Sequence, residues 1–340
     1  MSRHINIPIF IPHLGCPNAC VFCNQRTISG HCNYEPSGVR DEIERSLKTA
    51  DADAVVQIAF FGGSFTGIDR DEMIYLLSVA KEYIDCGKVE SIRLSTRPDY
   101  IDEEILEVLE RYGVKTVELG VQSISERVLA ASKRGHTAAD SYRAMKLISE
   151  RGFELVGQMM IGLPCSSVED EVATAEAICK CKASAARIYP TVVFEDTELC
   201  NMAKRGEYVP LTLEDAVRRS KCAKSVFIEN GVECIRVGLQ SGENLTDGEK
   251  VYAGDYHSAV GELVDCEIYY DAIKKYIDDN SLSEKIRGRD VVIYAPLGEV
   301  SKVSGHKKSN KRRLQDEYYV KNIKVIEKKE ILRYNILLSL

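Results

Sequence analysis

An α/β fold is the class the sequence predicts, with strands running parallel and helices outside them. Three observations carry that expectation. Six short β-like runs between residues 5 and 193 are each followed by a helical pattern, the alternation of a parallel sheet. The second run, Ala54–Phe61, is apolar at every position but Gln57, the pattern of a strand covered on both faces. Polar or Gly/Pro clusters sit at or near the carboxyl end of every strand, the rim on which β/α barrels build their sites. Six β/α units, where a closed barrel has about eight, predict a partial, TIM-like (β/α)6 barrel open to a large substrate.

The elements follow in order. Ile5–Pro12 reads as the first strand, and Val39–Ala50 as a helix with Ile43 and Leu47 four apart on one face. Strand Ala54–Phe61 leads to helix Asp71–Ile84, strand Val89–Ser95 to helix Glu103–Tyr112, and strand Val114–Gly120 to helices Glu126–Ala131 and Ala138–Glu150. Strand Phe153–Met160 precedes helix Val168–Cys181, and strand Ala186–Val193 precedes helices Glu198–Arg205 and Leu213–Asn230. After that come a Gly-punctuated loop, Tyr252–His257, and a short apolar run, Val260–Val264. Strand Val291–Ala295, helix Glu299–Ser304, helix Ser309–Tyr318 and strand Ile323–Ile326 form a small α+β C-terminal unit. The expected organisation is a barrel over 1–235, an extension over 236–290 and a basic unit over 291–340.

Composition narrows the function classes. With 340 residues, 29% charged and 44% hydrophobic, the chain has the make-up of a soluble globular protein. No run reaches the length of a membrane span, and Arg3, His4, Asn6 and Pro8 break up the N-terminal apolar residues, unlike a signal peptide. A net charge of −7 argues against whole-molecule attraction to nucleic acid while leaving local patches open. The cysteines are scattered rather than arranged as a disulfide framework, so a reducing cytoplasm is expected.

The chemistry-bearing feature is Cys16-Pro17-Asn18-Ala19-Cys20-Val21-Phe22-Cys23, three thiols spaced C-x3-C-x2-C after the first strand. With 12 cysteines in 340 residues, chance gives roughly 0.015 such spacings per chain. Three thiols can hold three irons of a 4Fe–4S cube and leave the fourth iron open to a ligand that is not protein. A structural zinc using His13, His31 or Cys32 as fourth ligand is one alternative; three buried free cysteines are another. The remaining cysteines, Cys32, Cys86, Cys165, Cys179, Cys181, Cys200, Cys222, Cys234 and Cys266, show no second cluster spacing and are expected to pack.

The cysteine loop, Gly62-Gly63-Ser64 after the second strand and the strand-end pattern resemble the radical S-adenosylmethionine superfamily. Over residues 10 to about 210 the resemblance extends to the Elongator catalytic subunit, which modifies wobble uridines of tRNA. It is carried by Pro12-His13, Glu35-Pro36, Thr96-Arg97-Pro98-Asp99-Tyr100 and Glu118-Leu119-Gly120-Val121-Gln122-Ser123. Arg134-Gly135-His136-Thr137, Met159-Met160 with Leu163-Pro164, and Ile188-Tyr189-Pro190-Thr191 add to it. The chain also resembles oxygen-independent coproporphyrinogen oxidase. The Elongator subunit spaces its first two cysteines more widely and carries an acetyltransferase domain after the radical domain. No segment of that size is read here, so the resemblance does not extend to the full acetyl-CoA-dependent reaction.

The resemblance implies that Cys16, Cys20 and Cys23 ligate the cluster and that S-adenosylmethionine meets Phe22, Gly62, Gly63, Ser64, Ser95, Gln122, Arg134 and Gln158. Gly62 and Gly63 would let the backbone approach the ligand without a Cβ, and Arg134 would pair with its carboxylate. His136, His257 and Tyr189 are candidates for substrate contact, against surface, capping or barrel-core roles. An electron donor such as flavodoxin or ferredoxin is the expected partner. The C-terminal order of strand, helix, basic loop, helix and strand resembles the minimal KH motif, whose loop clamps four nucleotides. Gly305 holds the first place of that loop, but Lys308 holds the fourth. Lys307, Lys308, Lys311, Arg312 and Arg313 suit a phosphate backbone; a solvated basic helix face is the bland alternative. The expectation is a radical enzyme acting on RNA, tRNA first. A porphyrinogen-type or other small-molecule radical enzyme, and a metal-stabilised RNA-binding protein without catalysis, are the alternatives.

Overall fold

The computed structural model describes residues 4–11, 16, 20–23, 35–51, 53–239, 250–254 and 256–340. The expectations placed on Pro12, His13, Pro17, Asn18, His31, Cys32 and Asp255 lie outside the described residues.

Seven parallel strands form one sheet, curled as a half-barrel, in the order β1 (His4–Ile11), β2 (Val55–Gly62), β3 (Ser91–Thr96), β4 (Val114–Gln122), β5 (Glu154–Ile161), β6 (Ala185–Pro190) and β8 (Glu233–Val237). Between β6 and β8, the short β7 (Val193–Phe194) leaves the sheet and pairs antiparallel with β9 (Val251–Ala253). Two expectations are corrected here. The sixth strand does not run on to Val193; it stops at Pro190, which has no N–H for the ladder. A seventh sheet strand, Glu233–Val237, was not expected, because an edge strand with alternating charge carries no apolar signal.

Helices α1 (Val39–Leu47), α2 (Arg70–Asp85), α3 (Glu103–Arg111), α4 (Glu126–Ala131), α5 (Ala138–Glu150), α6 (Val168–Lys180), α7 (Glu198–Lys204) and α8 (Leu213–Glu229) connect the strands. Their starts are written in the sequence. Thr137 with Asp140 and Ser167 with Asp170 form reciprocal capping boxes, and Asp69, Asp102, Thr197 and Thr212 accept from first-turn amides. Ile58, Leu94, Val117, Leu119 and Ile188 from the strands meet Leu76, Leu109, Ile148 and Ile178 from the helices in one core.

The C-terminal half departs more from expectation. The run beginning at Val260 is not short but continues as a 20-residue helix, α9 (Val260–Asp279). Its buried residues include Val264, Asp265, Cys266, Ile268, Tyr269 and Tyr270, which are not confined to one stripe. That arrangement hides the single-face periodicity by which a helix is read. After α10 (Ser283–Ile286) the chain forms β10 (Asp290–Ala295), α11 (Val300–Ser304), α12 (Ser309–Tyr318) and β11 (Asn322–Glu327), the expected order. β10 pairs parallel with β11 and antiparallel with a further strand, β12 (Leu337–Ser339). A second core joins α9 to this sheet through Tyr269, Ile273, Ile277, Val291, Ile293 and Leu314.

Helices α8 and α9 are fastened by a buried charge cluster. Lys224 and Asp265, each 4% exposed, form an ion pair. Tyr334 Oη donates to Asp265 Oδ1 at 3.2 Å, and Lys302 and Arg333 lie 3.4 and 3.5 Å from Asp265 Oδ2. Among the described residues no helix is long and apolar enough to cross a membrane.

Candidate active site

The strand ends enclose a cavity of about 390 Å3, and Cys16, Cys20 and Cys23 all line it. The cysteine turn is held by backbone bonds. Cys23 N donates to Cys20 O at 3.0 Å, Val21 N to Ser132 O at 3.1 Å, and Leu199 N to Val21 O at 2.8 Å. The loop after β1 is thereby tied to the end of α4 and the start of α7. Val21 anchors it in a small core with Val193, Leu199, Cys200 and Tyr208, against which Phe22 packs. Among the described residues no three His, Cys, Asp or Glu side chains already stand in metal-binding geometry.

Every side chain or backbone expected to meet the nucleotide lines the same cavity: Phe22, Gly62, Gly63, Ser64, Ser95, Gln122, Arg134 and Gln158. Any side chain at 62 would be strained. The φ of Gly62 is +108°, and a Cβ there would lie 2.3 Å from Ile11 O. Ser64 is buried and spoken for, since its hydroxyl bonds Thr96 Oγ1 at 2.9 Å and accepts from Arg97 N at 3.2 Å. Gln122 is buried in a left-handed conformation, φ 62°, at the end of β4. Non-glycine residues hold that conformation at a cost that tends to mark a working site. Its Oε1 is buried with no partner.

Arg134 is 8% exposed. Its Nη2 donates to Gly120 O at 2.8 Å and its Nη1 to Cys20 Sγ at 3.5 Å, while its Nε is buried without a partner. A Cβ at residue 120 would lie 2.8 Å from Nη2, so the missing side chain of Gly120 admits the guanidinium. Behind it, Arg97 donates to Asp99 through Nε (2.9 Å) and Nη2 (2.8 Å), and to Arg134 O at 2.7 Å. Burial opposes the charge of Arg97, yet the Asp99 pair outweighs it and the pKa is raised.

His136 is corrected from a surface or capping position. It is 4% exposed, neither ring nitrogen has a side-chain partner, and its pKa is pushed down to about 4, first by burial and then by the Arg134 charge. His257 Nδ1 accepts from Ala259 N, just ahead of α9, at 3.1 Å. Tyr189 lines the cavity. Of the cysteines expected to pack, Cys200 and Cys266 are buried, but Cys86 and Cys165 are exposed, so packing does not account for those two.

Several residues that shape the cavity had no role assigned from sequence. Glu118 Oε1 accepts from Arg93 Nη1 at 3.1 Å and Arg187 Nη2 at 2.9 Å, and Arg236 lines the same space. The available signal was a charged residue in the inward phase of an otherwise apolar strand, as in Ile92-Arg93-Leu94 and Ala186-Arg187-Ile188.

The basic loop between α11 and α12 turns sharply. Gly305 has φ +80°, and a Cβ there would meet Asn310 N at 2.5 Å. Lys307 and Lys308 are both left-handed, φ 50° and 63°, and exposed. Arg312 is exposed and donates to Lys307 O at 3.2 Å; Lys311 is half-buried, which lowers its pKa. Arg313, also exposed, already has protein partners. It pairs with Glu267 at 2.5 Å and lies over the Tyr270 ring at 3.6 Å.

A thiol-lined cavity at the carboxyl ends of a parallel half-barrel defines the class: an enzyme of the partial-barrel type. The Radical SAM superfamily matches residues 10–178 and the Radical SAM C-terminal domain residues 183–270. The chain belongs to the radical SAM superfamily, whose enzymes work with a 4Fe–4S cluster and S-adenosylmethionine. It is 30% identical over 216 residues to a tRNA uridine(34) acetyltransferase of Methanocaldococcus jannaschii, covering 57% of this chain and 40% of that protein. It is 24% identical over 247 residues to Elongator complex protein 3 of Homo sapiens, covering 61% and 45%. The match thus spans less than half the length of these relatives. Among solved structures, archaeal Elp3 of Methanocaldococcus infernus superposes with a TM-score of 0.61 at 24% identity, covering 83% of this chain and 64% of that one. The fold is shared.

Proposed function

We propose that this chain cleaves S-adenosylmethionine reductively at a 4Fe–4S cluster and acts on tRNA. The observation that carries the reading is the convergence in one cavity of three thiols, the Gly62–Gly63 backbone and two buried, unsatisfied polar atoms, Gln122 Oε1 and Arg134 Nε. Buried polar atoms are rarely left unpaired, so the cavity is shaped for a polar occupant. Cys16, Cys20 and Cys23 would hold the cluster. Bound there, such a cluster would supply one-electron reduction of the S-adenosylmethionine sulfonium and hence radical chemistry at a substrate C–H.

The chain's own residues bind and orient. The Gly62–Gly63 backbone would meet the ligand's amino end, Arg134, whose Nε has no partner, would meet its carboxylate, and Gln122 and Gln158 would present neutral amides to its hydroxyls. Phe22, Phe61 and Met160 wall the cavity and exclude water. The electron would come from a flavodoxin or ferredoxin in the cytoplasm. The RNA part of the reading is supported by the relatives' names and by exposed Lys307, Lys308 and Arg312 at a tight turn.

The test is anaerobic reconstitution with iron and sulfide, followed by measurement of 5′-deoxyadenosine under dithionite, with bulk tRNA or a porphyrinogen added. Nucleoside release that rises with tRNA supports the reading. Stimulation by the tetrapyrrole alone moves the substrate to the small-molecule alternative, and retained metal with no nucleoside release removes catalysis.

A further inference from the structure

The cavity holds more positive charge than its nucleotide contacts use. Arg187 on β6 and Arg236 on β8 are register partners on neighbouring parallel strands, so their side chains leave the sheet on the same face, and both line the cavity. Among the described residues, Glu118 is the carboxylate hydrogen-bonded to this group. Glu118, 3% exposed, accepts from Arg93 and Arg187 through the same Oε1. Burial lowers the pKa of Arg93, and Glu118 only partly offsets it. The Nε atoms of Arg93 and Arg187 are buried with no partner, and Arg236 has no ion pair among the described residues. The other two arginines lining the cavity are engaged elsewhere: Arg97 with Asp99, and Arg134 with Gly120 O and the Cys20 thiol.

Neutral donors complete the group. Gln158 is the register partner of Arg187 on β5. Tyr189, two residues further along β6, accepts from Arg187 Nη1 at 3.5 Å. Guanidinium N–H groups taken out of water without an acceptor cost free energy. Two guanidinium groups and a phenol are a donor set that a planar or tetrahedral oxyanion satisfies. Because β8 is the edge strand of the sheet opposite β1, Arg236 stands on the far flank from the strand that leads into the cysteines.

We propose that Arg187 and Arg236, with Tyr189, bind an oxyanion of the substrate, a carboxylate or a phosphate, within the barrel. The assignment rests on the function proposed above only in taking the occupant of this flank to be the substrate.

The experiment uses anaerobic holoenzyme loaded with cluster and S-adenosylmethionine, titrated calorimetrically with inorganic phosphate and with acetate against chloride at matched ionic strength. Binding of either anion in the millimolar range is expected, weakened about ten-fold in Arg236→Gln and unchanged in Arg205→Gln, a surface control. Arg236 is half-exposed on an edge strand, so its loss spares the core; Arg187→Gln, which also unloads Glu118, is the second variant. Preference for phosphate marks a phosphodiester-bearing substrate, preference for acetate a carboxylic acid, and equal binding the shared chemistry; each supports the site. Binding no tighter than chloride, or unaltered in both variants, overturns it. Nucleoside release by the wild type is measured alongside. Anion binding without release keeps this site and removes the proposed function; release without anion binding does the reverse.

Discussion

The Nη1 of Arg134 lies 3.5 Å from the Sγ of Cys20, so one guanidinium touches both the thiol turn and the end of β4. The two residues have separable duties. Cys20→Ala is expected to lose most bound iron after reconstitution, read by iron and sulfide assay. Arg134→Gln is expected to keep the iron and weaken S-adenosylmethionine binding about ten-fold, the scale of one lost charge-assisted hydrogen bond. Equal iron loss in both variants would mean that the arginine serves the thiols alone.

Gly62 and Gly120 are both crowded, but by different things. A Cβ at 62 meets the Ile11 backbone at 2.3 Å with φ at +108°, whereas at 120 it meets the tip of the Arg134 side chain at 2.8 Å. Gly62→Ala is expected to cost about 1–3 kcal/mol of stability, since backbone must move. Gly120→Ala is expected to leave the unfolding midpoint nearly unchanged and to lower nucleotide affinity by swinging the guanidinium away. Urea unfolding and equilibrium binding on both variants check the contrast.

The buried His136 ring sets a pH dependence. Its folded pKa is depressed to about 4, against about 6.5 in the unfolded chain. The unfolded state therefore binds the extra proton between those values. Stability is fully present above about pH 6.5 and falls as the pH drops toward 4, by up to roughly 3 kcal/mol. In His136→Phe the part of the acid slope due to this ring should vanish, which a series of denaturant titrations from pH 7 to 4.5 would show. An unaltered slope would place the titration elsewhere.

Breaking the Lys224–Asp265 pair should be costly in a sign-dependent way. Asp265→Asn leaves Lys224 buried beside Lys302 and Arg333, all cationic, and is expected to cost about 3–5 kcal/mol. Adding Lys224→Met to that variant should restore part of the loss, because an unpaired buried charge disappears. Double-mutant denaturation measures it, and strict additivity would argue against a coupled pair.

If RNA lies on the basic loop, Lys307→Glu with Lys308→Glu should weaken tRNA binding and reduce the salt slope by about 2, the change expected for two lost phosphate contacts. Arg312→Glu also removes the bond to Lys307 O, so it is the less clean probe. Filter binding between low and moderate salt is the measurement; unchanged affinity removes the idea.

The rim of the barrel was legible because its residues break local rules. Three thiols in eight residues and a Gly-Gly pair after a nearly all-apolar strand sit where packing alone would choose otherwise; Gln122 was named through the family resemblance, its left-handed backbone being visible only in the structure. Residues that obey local rules were harder. Glu233–Val237 reads as surface because it is an edge strand, and with it Arg236 went unnoticed. Helix α9 was truncated in the reading because it buries residues outside a single stripe, against both the barrel and the C-terminal sheet. Arg93, Glu118 and Arg187 each look like an ordinary surface charge until the register of four strands brings them together.

The joint between α8 and α9 carries a mechanical consequence. An ion pair closed to water resists hinging, and the His257 ring beside β9 stands edge-on to His306 in the basic turn at 6.4 Å. The two halves are therefore held at a set separation, as by a gauge block. A polymer gripped at Lys307 and Lys308 would present to the cysteine chamber whichever link happens to lie one fixed span away, so reach along the strand, rather than recognition of bases, would choose the position that reacts.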